Sequence, residues 1–157
     1  MRLLPAVLLS LLLAQPCAAD ELAFSGVWTI SGAAIAPWEN PDDPIRSDVS
    51  AEYVGKTVTI AADSIEGPGL MGCGKTELTV ESQPFAGLFE GGLGTDPHNP
   101  AGDQDPARAD RLARQLGFAV EPVPTLYQGC SELSLHLRDA HTVLFGLDNR
   151  IFTMRRH

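Results

Sequence analysis

The sequence predicts a mostly β domain: an antiparallel barrel or near-closed sheet of six to eight strands, with one short helix at its side and one disulfide. Three observations predict it. Near the C-terminus Leu133, Leu135 and Leu137 alternate with Ser134, His136 and Arg138, the two-residue period of a strand with one face buried and one wet. Val143 to Leu147 is then almost wholly apolar, and Arg150-Ile151-Phe152-Thr153-Met154-Arg155 returns after Asp148-Asn149, a pair that tolerates positive φ. Finally, only one stretch of the chain, 105–117, carries a helical period.

The N-terminus reads as a secretory leader. Arg2 precedes an apolar run from Leu3 to Leu13, and Cys17-Ala18-Ala19 supplies small residues for cleavage. Residues 1–19 are therefore expected to be removed, leaving 20–157 as a single β-rich domain of 157 − 19 = 138 residues. The run is short for a bilayer span and no second one follows, so no stable membrane insertion is expected and the protein is placed in the periplasm or outside the cell. Loss of Arg2 moves the formal charge from −9 to −10. Such a surface repels polyanions, which argues against nucleic acid as a partner. With Cys17 gone, Cys73 and Cys130 are the remaining pair in an oxidising compartment, and a disulfide between them is expected.

Taken in order, Phe24 to Ile30 forms the first strand, with Trp28 and Ile30 on one face and Gly26 at its entry. Gly26-Val27-Trp28 resembles the Gly-x-Trp on the first strand of lipocalins and related small barrels. In those families the tryptophan closes one end of the barrel, and a basic residue on the last strand packs across it. Arg155 or Arg156 stands in the corresponding place. The resemblance implies a barrel that carries a small apolar ligand. From Ala33 to Ser50, Pro37, Pro41 and Pro44 break any ladder, leaving a loop that bears Trp38. Lys56 to Ala62 and Glu77 to Glu81 alternate again, two strands joined by a glycine-rich connection. Within it, Gly69 to Thr76 spells the phosphate-loop pattern, but a strand follows instead of the helix whose amides would face the phosphates, so no nucleotide is expected there.

Pro84 to Asp105 has no period and is rich in glycine and proline, as a long binding or mobile loop would be. Asp96, His98, Asp103 and Asp105 lie in it, oxygen-rich but in no calcium-loop spacing, so no metal is assigned. Asp105-Pro106 opens the helix as cap and first residue, and Gly117 ends it. Ala109, Leu112, Ala113 and Leu116 face inward, whereas Arg108, Arg111 and Arg114 lie away from the core. Pro122 and Pro124 confine Val120 to Tyr127 to an edge or to irregular structure.

Catalysis leaves no signature. None of the four histidines has an evident partner, His136 being placed on a wet strand face, and no serine sits in a nucleophile elbow. No catalytic residue and no cofactor are assigned. The expected function is that of an exported, non-enzymatic binding protein engaging an unknown protein through its long loops. Its alternative is the carrier of a small apolar ligand, and an uncharacterised hydrolase is the third reading. The possible binding loop comprises Trp38, Asp96, His98, Asp103 and Asp105.

Overall fold

A computed structural model describes residues 23–40, 42 and 48–156. The expected leader, 1–19, and His157 lie outside the described residues. The expected architecture is present: a mostly β, antiparallel, curled sheet with few helices and one disulfide, Cys73–Cys130. Its strands are β1 (Gly26–Ile35), β2 (Thr57–Ala61), β3 (Ser64–Glu66), β4 (Gly74–Lys75), β5 (Leu78–Gln83), β6 (Val123–Gln128), β7 (Ser134–Asp139), β8 (Thr142–Leu147) and β9 (Arg150–Arg156). The order β4-β3-β2-β1-β9-β8-β7-β6-β5 counts nine because the glycine-rich connection holds two further short strands, β3 and β4. The two edges, β4 and β5, are sequence neighbours joined only through Thr76 and Glu77. Curling the sheet therefore brings together strands that the chain already ties.

One face of the curl is the main core. Phe145 and Phe152 oppose each other across β8 and β9 and stack at 5.0 Å, and Tyr53, from the single helical turn α1 (Ser50–Tyr53), leans on Phe152 at 5.5 Å. Trp28, Ile30, Val58, Leu135 and Met154 fill the remaining interior with essentially no exposure. A bulge between Ile30 and Gly32 resets the alternation of β1, so that the strand runs on to Ile35, past the point where the loop was expected.

The opposite face of β6 to β9 is also buried, and here the structure corrects two expectations. Pro84 to Gly94 is not a free loop. Phe85–Gly94 folds as two 3-10 turns across a kink and packs Phe85, Leu88, Phe89 and Leu93 onto Val123, Leu144 and Ile151. The helix α2 (Pro106–Gln115) adds Ala109 and Ala113 to that second layer. Its Asp105 cap and the positive φ of Gly117 are as the residue types require. Arg108 does not lie away from the structure. It donates to the carbonyls of Thr95 (2.8 Å) and Pro37 (2.7 Å), stapling the helix to two loops.

The prolines mislead at β6, which is interior, between β5 and β7. The ladder to β7 covers only Thr125 to Tyr127, so Pro124, paired with Ser82 of β5, sits just beyond it and owes β7 no N–H. The phosphate-loop pattern at Gly69–Thr76 forms a 3-10 turn and β4, not a helix N-terminus. Among the described residues no helix is long and apolar enough to cross a membrane.

Candidate functional site

The β1–β9 ladder runs from Trp28↔Arg156 at one end to Ile35↔Arg150 at the other. At the first end Trp28 is fully buried, its indole N–H donates to Phe24 O (2.7 Å), and the Arg156 guanidinium lies 4.3 Å from the ring centroid. Arg156 also donates to the carbonyls of Ala23 (2.6 Å) and Ser25 (3.0 Å), so this end is plugged. Arg155 points to solvent.

The other end is open. There the β8–β9 turn, the β6–β7 connection, the segment after β1 and the Phe89–Thr95 stretch surround a cleft of about 590 Å³. Its apolar wall comes from Trp38, Phe89, Leu70, Leu133 and Leu147. Three acidic residues, Glu90, Glu132 and Asp148, and three hydroxyl residues, Thr95, Ser131 and Ser134, also line it. Trp38, half-buried, meets Phe89 at 5.5 Å. Its ring lies so close to Gly92 that a Cβ there would stand 2.7 Å from it, so the glycine is what admits the indole.

The wall is held in an unusual backbone. Phe89 and Glu90 have φ of 51° and 57°, followed by Gly91 at 84°. Left-handed non-glycine residues cost about 1 to 2 kcal/mol each, so something must fix them. His136 does. Its Nε2 accepts the Phe89 amide at 3.0 Å, the Phe89 ring packs edge-on at 4.5 Å, and Glu121 takes the Phe85 amide at 2.8 Å at the start of the segment. With Nε2 accepting, Nδ1 carries the proton and donates to Thr125 Oγ1 (3.0 Å), which passes its own hydrogen to Val123 O (3.3 Å).

His136 was expected on a wet face and is instead fully buried, because the Phe85–Gly94 layer covers that side of β7. Burial lowers its pKa from 6.5 to about 3. Ser134 Oγ, at the cleft, stands 3.3 Å from Nε2, a geometry that superficially suggests a serine–histidine nucleophile. The Nε2 lone pair is engaged by the Phe89 amide, and an imidazole with so low a proton affinity is a poor base for a hydroxyl. The arrangement shapes a wall rather than activating a serine.

A pH dependence follows. The folded pKa is depressed, so this group's stabilisation is complete above about pH 6.5 and is lost as pH falls from there toward 3. The loss approaches about 1.4 kcal/mol per pH unit, about 2 kcal/mol by pH 5. Denaturation midpoints should fall over that range while the His136 ring resonances stay those of a neutral imidazole down to about pH 4. Ring protonation near pH 6.5 in the native state would contradict the assignment.

Of the residues expected in a binding loop, only Trp38 lines the cleft. Asp96, His98, Asp103 and Asp105 are exposed and outside it. Asp96 accepts the His98 amide (2.9 Å), Asp105 caps α2 through the Ala107 amide (2.9 Å), and no group of three or more metal-binding side chains occurs among the described residues. Sequence reasoning missed Glu90, Glu132, Ser134 and His136. Ser134-Leu135-His136 placed a hydroxyl and an imidazole on one strand face, a signal that could have been used. No family model, no curated protein and no solved structure matches this chain.

Proposed function

We propose that this protein is an exported, non-enzymatic binding module that takes a segment of another protein in the cleft at the open end of its sheet. The observation that carries the reading is the contrast between a sheet interior filled by Phe145, Phe152 and Met154 and an open, loop-built cleft of about 590 Å³ beside it. A filled interior leaves little room for the enclosed apolar ligand of a lipocalin-like carrier. Export is supported by the leader pattern of Met1 to Ala19 and by the Cys73–Cys130 disulfide, which suits an oxidising compartment.

Deleting Pro84 to Asp105 would remove Phe85, Leu88 and Leu93 from the second core, so the test leaves the backbone intact. A photo-crosslinking residue in place of Ser131, at the cleft, should join the mature protein to a second polypeptide in the periplasm. The same residue in place of Val27, exposed on β1 away from the cleft, should not. Equal adducts at the two positions, or a small molecule of constant mass retained in native mass spectrometry, would overturn the proposal.

A further inference from the structure

We infer that the group the cleft selects is an arginine side chain of the bound segment, an inference that rests on the binding reading above. The lining itself points there. Glu90, Glu132 and Asp148 are among the residues that line the cleft, and among the described residues no lysine or arginine lines it. Trp38 and Phe89 offer ring surface, while Leu70, Leu133 and Leu147 offer an apolar bed for methylenes. An aliphatic stem ending in a delocalised cation satisfies all three kinds of surface at once. A planar guanidinium stacks on an indole and forks to carboxylate oxygens, where an ammonium is a compact, strongly hydrated point charge; arginine fits better than lysine.

Preorganisation supplies the second argument. Glu90 stands on left-handed backbone pinned next door by the His136–Phe89 bond, and Glu132 follows Cys130 of the disulfide by two positions. Trp38 lies against Gly146 and against Gly92, whose missing Cβ leaves room for its ring. A wall fixed before the ligand arrives loses little freedom on binding. A volume of about 590 Å³ lies within the range of ordinary ligand sites and exceeds one side chain, so flanking residues of an extended segment enter with the arginine.

The oxidised mature protein can be titrated with acetyl-Gly-Arg-Gly-amide, with its citrulline counterpart, which keeps the shape and lacks the charge, and with ethylguanidinium. Amide and indole NMR resonances provide the readout. The arginine peptide should shift the Trp38 indole and the Gly92 and Glu132 amides, with affinity falling as salt is raised. The citrulline peptide should bind about tenfold more weakly or less, and Glu132→Gln and Glu90→Gln, both exposed and therefore folded, should each weaken the arginine peptide comparably. Equal affinity for the citrulline peptide would overturn the arginine inference and leave the cleft as a protein-binding site. Ethylguanidinium binding as tightly as the peptide would overturn the protein source in favour of a free organic cation. If neither peptide moves the cleft resonances while the Ser131 crosslink forms, only the arginine inference falls; if the crosslink also fails, both readings fall.

Discussion

Replacement of Trp28 by alanine is expected to leave the domain unfolded or nearly so. Truncating a buried tryptophan costs ~3 to 5 kcal/mol, and loss of a cation over the indole adds ~0.5 to 2, against a total stability of ~5 to 15 kcal/mol for domains of this kind. Trp28 has no exposed surface and ties three things together: the Phe24 carbonyl, the Arg156 guanidinium and the inner face of β1. Its removal also leaves that guanidinium, which donates to the Ala23 and Ser25 carbonyls, beside a void. Trp38→Ala removes a half-buried ring that packs at a tilt against Phe89 at the cleft, so it should lower the midpoint modestly and spare the fold. Urea denaturation followed by circular dichroism compares the two; equal midpoint shifts would contradict the assignment of Trp28 as the plug and Trp38 as cleft wall.

Replacing Cys73 and Cys130 together by serine is expected to cost about 4 kcal/mol in the chain-entropy account, because the bond closes a loop spanning 57 positions. The Cα atoms stand 5.8 Å apart, within the ordinary range for a bridge. Its position raises the stakes, since Cys73 follows the 3-10 turn that leads into β4, at one edge of the sheet, and Cys130 follows β6, next to the strand at the other edge. Without it the seam is tied only by Thr76-Glu77 and by bonds such as that from the Gly129 amide to Glu77 O (3.0 Å). The melting temperature should drop on the order of 10 °C, and dithiothreitol should reproduce the effect in the unmutated protein. A double variant that melts with the parent would sink this reading. Cys130 also lines the cleft, so loss of the bridge should loosen that wall before the rest of the sheet.

Period-two alternation made the strands legible, and the capping residues Asp105 and Gly117 made the helix legible. Where the pattern is strong, as from Leu133 to Met154, the residues of the inner face were read correctly. The second layer was hidden because the segment that forms it, Pro84 to Gly94, has no period: it reaches its fold through left-handed turns at Phe89, Glu90 and Gly91. Its invisibility led to the wrong environment for His136, whose cross-strand partner Leu144 is buried on the outer face for the same reason. The cleft could not be seen at all. Its walls come from five separated stretches of chain, around Trp38, Leu70, Glu90, Glu132 and Leu147, and only the curl of the sheet brings them together.

Every pair of neighbouring strands in the sheet but one joins consecutive segments of chain; the exception is β1 with β9. Ser31 and Thr153, bonded across that pair, are 122 positions apart. During synthesis β1 is therefore the first strand made and waits for the last. Until β9 arrives, Trp28 has no guanidinium above it and one side of β1 exposes unpaired amides, a template for foreign strands. Closing this longest loop costs more chain entropy than closing any of the local hairpins, so it is expected to be the slower pairing. The vulnerable period of this protein is thus set by the time between emergence of its first strand and its last, and a chain cut short before β9 would keep one side of β1 unpaired for good.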